Sequence, residues 1–182
     1  MGLLEQQSRQ GAIDLFYGDE TGVNELGYVP YAWQFKDEKL GVPAARGKQI
    51  NCFGLVSRES SFVFQTSHGN VNAGFVVEFF ERLSLDISRK TVVVLDNAKI
   101  HVAQKVKERM GCWQERGLFL FFLPPYSPHL NLCERVWKEL KARWLKPEDY
   151  LTFDALAYAT TQCLYAVGSE LVINFSEYSF YC

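Results

Sequence analysis

Apolar and polar positions change period along this chain, and each change marks an element. Ala12 to Gly18 (AIDLFYG) is short and apolar and predicts a strand running straight into Asp19-Glu20, with turn chemistry from Thr21 to Asn24. Tyr28 to Phe35 (YVPYAWQF) is aromatic and reads as extended, with Pro30 assigning it to an edge or a bend. Lys36 to Lys48 is a polar loop. Ile50 to Val56 reads as a strand, Ser57 to Ser60 as a turn, and Ser61 to Gln65 as the hairpin partner. From Asn72 the period becomes helical, with Phe75, Val76, Phe79, Phe80 and Leu83 at spacings of three and four. Thr91 to Leu95 (TVVVL) is a β-branched run of the kind buried on both faces, and it ends at Asp96.

Ile100 to Trp113 then predicts a helix with a basic face (Lys105, Lys107, Arg109), closing near Gly117. Leu118 to Leu123 predicts a second buried strand, stopped by Pro124-Pro125-Tyr126-Ser127-Pro128. Leu130 to Trp144 predicts a helix whose apolar face carries Cys133, Val136, Trp137, Leu140 and Trp144, with Pro147 ending it. Thr152 can N-cap a last helix from Phe153 to Val167, with Gly168 at its end. Three strands, helix, strand, helix, strand and two helices predict an α/β fold, a mixed sheet with helices on both faces. There is no repeat and no Gly/Ser linker, so residues 12–168 read as one domain. Residues 1–11 form an N-terminal extension and residues 169–182 a C-terminal tail.

Composition narrows the function classes. The chain has 182 residues, 48% hydrophobic and 22% charged, a balance that excludes disordered and fibrous classes. The longest purely apolar run, Leu118 to Leu123, is too short to cross a bilayer. Met1 to Gln10 has no apolar h-region, and Gln6 breaks the myristoylation pattern. Five cysteines without CxxC spacing read as reduced thiols, so the expected location is the cytoplasm, with no membrane partner. A net charge of −2 argues against a pure phosphate-backbone binder but leaves room for an enzyme gripping DNA through a local patch.

Three carboxylates stand out by position. Asp19 follows the first strand, Asp96 follows the buried TVVVL strand, and Glu134 opens the helix after the last strand. Each alone has an ordinary reading: a turn or cap aspartate, or a helix-face pair between Glu134 and Lys138. Together they fall where the carboxyl ends of adjacent central strands would gather them. Three acids at one place raise one another's pKa, and a divalent cation removes that cost. Hard oxygen donors suit Mg²⁺ or Mn²⁺ rather than zinc.

Three blocks occur in order: Phe16-Tyr17-Gly18-Asp19-Glu20-Thr21-Gly22, Val93-Val94-Leu95-Asp96-Asn97-Ala98-Lys99-Ile100-His101, and Leu123-Pro124-Pro125-Tyr126-Ser127-Pro128-His129-Leu130-Asn131-Leu132-Cys133-Glu134. They resemble the signature blocks of the mariner-type DDE transposases, in the branch carried by bacterial insertion sequences. The 37 residues between Asp96 and Glu134 lie within that family's range. The resemblance covers roughly residues 12–145, extending to about 168.

The resemblance implies a ribonuclease-H-like five-stranded fold with Asp19, Asp96 and Glu134 as catalytic residues and metal ligands. It also implies two Mg²⁺ or Mn²⁺ ions and a reaction that cuts transposon ends and joins them to target DNA. The implied partners are double-stranded DNA, a second copy of the chain on that DNA, and a separate helix-turn-helix chain, since only about eleven residues precede the first strand. Leu132-Cys133 replace the family's Pro-Ile, and Lys99 replaces a proline.

His101 is a further candidate near the metal or a phosphate. Arg46, Lys48, Lys138 and Lys141 are candidate DNA contacts, and Arg135, Arg143 and Lys146 extend the basic helix face. Trp33 and Tyr126 read as packing residues. Gly41 to Gln49 fails as a phosphate loop, with one residue too many between the glycines and Gln49 in place of Ser or Thr. Two alternatives stay open: an inactive or truncated remnant that binds DNA or assists assembly, and a flavodoxin-like binder, which lacks its phosphate loop.

Overall fold

The computed structural model describes residues 1–26, 47–124 and 130–175. Strand β1 spans Asp14–Asn24, β2 Gln49–Val56, β3 Phe62–Ser67, β4 Thr91–Leu95 and β5 Leu118–Phe122. They form a mixed sheet in the order β3-β2-β1-β4-β5. The β1–β2 and β2–β3 pairs are antiparallel, while β4 runs parallel to both β1 and β5. The helices are α1 (Gly2–Arg9), α2 (Ala73–Asp86), α3 (Gln104–Glu115), α4 (Cys133–Glu139) and α5 (Phe153–Ala166). The expected α/β sheet is there, five strands among the described residues, with helices on both faces.

Strand periodicity sorts the core into two layers. Successive side chains of β4 point to opposite faces. Val92 and Val94 join Leu15, Tyr17, Cys52 and Val56 under α4 and α5, in the first cluster. Val93 and Leu95 join Phe53 and Leu55 under α2 and α3, in the second. All five residues of β4 are therefore buried, as its β-branched run requires.

Several local expectations shift. Thr21 to Asn24 is not a turn. It continues β1, because residues 17–24 pair antiparallel with residues 49–56 and that ladder overrides the local turn chemistry. Asp19 therefore sits inside β1 rather than after it. Helix α3 starts at Gln104, since a turn closed by hydrogen bonds from the His101 and Val102 amides to the Ala98 carbonyl fills the preceding stretch. The helix expected from Leu130 to Trp144 is α4 followed by a π-helical turn, Leu140–Trp144. The expected N-cap is present, with Thr152 accepting from the Ala155 amide, and Asn72, where the helical period begins, caps α2 by accepting from the Gly74 and Phe75 amides.

Helix α1 lies in the stretch read only as an extension. Its buried Glu5 accepts from Tyr17 Oη (2.8 Å) and from Arg58 Nε (2.9 Å) and Nη2 (2.6 Å). That pairing spans 53 residues and fastens α1 to the turn between β2 and β3. The extended segment Tyr28 to Phe35, Trp33, Arg46, Tyr126 and the proline run from Pro125 lie outside the described residues.

Two glycines allow close approach near the site. A Cβ on Gly18 would stand 2.6 Å from Leu55 Cδ2, and one on Gly54 would stand 2.7 Å from the Phe62 ring and 2.8 Å from the Trp137 ring. Gly54 is the cross-strand partner of Asp19.

Candidate active site

Asp19 and Asp96 are neighbours because of register. Tyr17 of β1 pairs with Val94 of β4 in a parallel ladder, and each aspartate lies two residues further on. Glu134 is the second residue of α4, whose start is fastened to the same place. Asn131 Nδ2 donates to the Gly18 carbonyl (2.8 Å), and Asn131 Oδ1 accepts from the Cys133 amide (3.1 Å). The Cys133 thiol donates to the Gly54 carbonyl (3.3 Å). These bonds tie α4 to the residue before Asp19 and to the residue opposite it. Leu132 and Cys133, which depart from the family pattern, are both buried in the core beside this joint.

Like charge acts on two of the three carboxyls. Burial pushes Asp19 up to about 7, and the charges of Glu20, Asp96 and Glu134 add to that. Burial and then the Asp96 charge raise Glu134. Asp96 moves the other way, because the His101 bond holds its carboxyl below the usual range. Asp96 is not the N-cap of α3. Its Oδ1 accepts from the Ala98 amide (3.0 Å) in a local turn, five residues before Ala103 takes the cap position.

His101 is completely buried. Its Nδ1 lies 2.7 Å from Asp96 Oδ1 and its Nε2 lies 3.1 Å from Glu20 Oε2. Burial disfavours the charged ring, but the two carboxylates win and push it up to about 9. In the sequence Glu20 is a member of the first block with no role of its own. Its signal was its place beside Asp19: strand alternation turns Glu20 toward the α3 face, where His101 lies, while Asp19 shares a face with Tyr17. The role of Asn131, a member of the third block, depends on its distant partner Gly18 and is not legible from the block itself.

The basic candidates divide. Lys141 is half-buried within range of the Asp19 charge, and burial lowers its pKa. Lys138 is exposed on α4. The ion pairs of this helix run from Arg135 (2.9 Å) and Arg143 (3.1 Å) to the buried Glu139, so these two arginines are already engaged by an acid. Lys48 lies just past the far end of the β1–β2 ladder, six residues along from the partner of Asp19 and so about 20 Å away at ~3.4 Å per residue, with its Nζ 5.6 Å from the Phe153 ring centroid. Arg46 lies outside the described residues.

Oxygen donors of this kind fit a hard divalent cation, and the raised Asp19 carboxyl marks a place short of positive charge. Among the described residues, no three His, Cys, Asp or Glu side chains close on one point as a coordination shell. The four described cysteines Cys52, Cys112, Cys133 and Cys163 are free thiols, and no described helix is long and apolar enough to cross a membrane.

Stability of the metal-free chain should follow these shifts. Asp19 rises from 3.8 to about 7 on folding, so its contribution is present below pH ~4 and is lost as pH rises through about 7. His101 rises from 6.5 to about 9, so its contribution is lost as pH rises through about 9. Asp96 and Glu81 are lowered, Glu81 to about 2 by Arg109 and Arg116, and their contributions are lost in acid. Melting in EDTA across pH 3 to 10 should therefore show a maximum at mildly acidic pH (roughly 4 to 6) and a steady fall toward pH 9. A flat profile from pH 5 to 9 would contradict these assignments.

The sheet order β3-β2-β1-β4-β5, with β4 parallel to β1 and β5 and helices on both faces, is that of the ribonuclease-H-like fold. Residues 14–157 match the family model of the DDE superfamily endonucleases, and the chain belongs to that family. It is 34% identical over 89 residues to the uncharacterized protein y4pE/y4sA of Sinorhizobium fredii, an alignment covering 49% of this chain and 58% of that protein. Its fold is similar to the catalytic core domain of BIV integrase (TM-score 0.54, 14% identity, 87% of this chain and 86% of that one). It is also similar to the Mos1 mariner paired-end complex with Mn (TM-score 0.56, 14% identity, 90% of this chain and 52% of that one). The chain thus spans little more than half the length of the curated relative and of the Mos1 chain.

Proposed function

We propose that this chain is the catalytic part, over residues 12–168, of a transposase that cuts DNA at transposon ends and joins them to target DNA, using Asp19, Asp96 and Glu134. The observation that carries the reading is the register that sets Asp19 beside Asp96 on adjacent parallel chain segments, with the start of α4 and its Glu134 fastened next to Asp19 through Asn131, in a chain of the DDE endonuclease family. Mg²⁺ or Mn²⁺ held by these carboxylates would polarise the phosphate and lower the pKa of attacking water. Asp19 presents its oxygens from within β1, Asp96 presents its own from just beyond the end of β4, and Glu134 brings a third carboxylate from α4. Lys141 lies on the Asp19 side and supplies positive charge toward an approaching DNA phosphate. The similarity to a mariner paired-end complex with Mn supports both DNA and metal as partners. A second copy and a separate DNA-binding chain belong to the same proposal, since paired ends need two active sites.

The test is nicking of supercoiled plasmid and of duplexes carrying the element's ends, with Mg²⁺ or Mn²⁺ and with EDTA. Metal-dependent nicking that disappears in Asp96→Asn is the expected result. Unchanged nicking in Asp96→Asn would refute the assignment, and no nicking in any metal would favour a non-cutting assembly partner.

A further inference from the structure

We propose that His101 is the positioning residue for Asp96 and that Glu20 holds His101 in place. The inference rests on the reading of Asp96 as a metal ligand and deepens it. Asp96 lies just beyond the end of β4, with its side chain 48% exposed, so nothing in the sheet ladder itself fixes its carboxylate. Two N–H groups do so. His101 Nδ1 (2.7 Å) and the Ala98 amide (3.0 Å) both meet Oδ1. Among the described residues, no hydrogen bond reaches Oδ2. One oxygen is thereby tied down and the other is left for a cation.

The ring cannot turn without losing a partner. Its Nε2 stands 3.1 Å from Glu20 Oε2, its edge lies against Phe53 at 5.7 Å between centroids, and the His101 amide donates to the Ala98 carbonyl (2.9 Å). Packing alone does not account for an imidazole here. A fully buried polar ring costs free energy unless its nitrogens are paired, and an apolar side chain would fill the space without that cost. The chain Glu20–His101–Asp96 therefore links the α3 face of β1 to the carboxylate after β4. Groups that orient a metal-binding carboxylate in this way typically contribute 10- to 100-fold in metal affinity.

The experiment measures Mn²⁺ affinity from the free-ion EPR signal, with metal-free melting temperatures alongside. It uses the unmutated chain, His101→Ala, His101→Asn, His101→Gln and Glu20→Ala. His101→Ala is expected to weaken Mn²⁺ binding roughly 10- to 100-fold. His101→Asn is expected to recover most of that loss, because its amide nitrogen falls near the place of Nδ1. His101→Gln, whose amide reaches toward Glu20 instead, is expected not to. Glu20→Ala, at a part-exposed position, is expected to weaken binding while staying folded, which keeps the inference testable should His101→Ala fail to fold. Native affinity in either alanine variant would overturn the inference, as would a His101→Asn variant no better than His101→Gln. An unmutated chain that binds no Mn²⁺ would overturn the metal-site reading and this inference together. Normal binding that is indifferent to His101 would overturn the inference alone.

Discussion

Replacing Asp19 with asparagine is expected to abolish DNA cutting and, at the same time, to stabilise the metal-free fold. The activity loss follows from removing a charged oxygen donor from the centre of the acid group. A metal contribution of several kcal/mol to the transition state corresponds to a loss on the order of a thousandfold in rate. The stability gain follows from the same position. Asp19 is half-buried, and the charges of Glu20, Asp96 and Glu134 surround it. The fold therefore works against its ionisation above pH 7. A carboxyl displaced from 3.8 to about 7 represents at most about 4 kcal/mol at ~1.4 kcal/mol per pH unit, and less where water screens the half-buried mouth. Asparagine keeps the shape and removes the charge. Melting in EDTA at pH 8 should rise relative to the unmutated chain, and the difference should shrink toward pH 4. Opposite changes in activity and stability are the mark of a site that holds strain for function. Unchanged nicking, or a lowered melting temperature at pH 8, would contradict the role given to Asp19.

The second large effect is expected at Asn131, which touches neither DNA nor metal in the proposed reaction. Its side chain donates to Gly18 and accepts from Cys133, so it clamps the start of α4 to β1 beside Asp19. Asn131→Leu leaves the buried Gly18 carbonyl without its side-chain donor and the α4 start without its turn. The expected stability cost is about 1–3 kcal/mol, read as a lowered urea midpoint. Glu134 then loses its fixed place. A misplacement of about 1 Å near reacting groups can cost on the order of a hundredfold in rate. Nicking should therefore fall far more than the folded fraction does. A proportional fall in both would reduce Asn131 to a purely structural residue.

Much of this was legible because it is local. The β-branched run of β4 is buried on both faces, the alternation of β3 makes a hairpin with β2, the helical period from Asn72 opens α2, and Thr152 caps the helix that follows it. The three acids were legible through the blocks that surround them. What escaped depends on distant partners. Thr21 to Asn24 carries turn residues, and only the β2 ladder makes it strand. Helix α1 has few apolar residues, and its anchor is a Glu5–Arg58 pair 53 positions apart. Arg135 and Arg143 read as a free basic face until Glu139 is seen to hold both. Glu20 was hidden by adjacency to Asp19. Its role depends on the opposite face of one strand and on a turn that returns His101 beneath it.

The most direct measurement is anomalous scattering from crystals of the chain grown with Mn²⁺, with data collected at the manganese edge. Density bounded by the carboxylates of Asp19, Asp96 and Glu134, and missing from crystals of Asp96→Asn, is the expected result. An empty acid group at saturating Mn²⁺, or manganese held only by other residues, would contradict the assignment of these three side chains as the metal-binding centre.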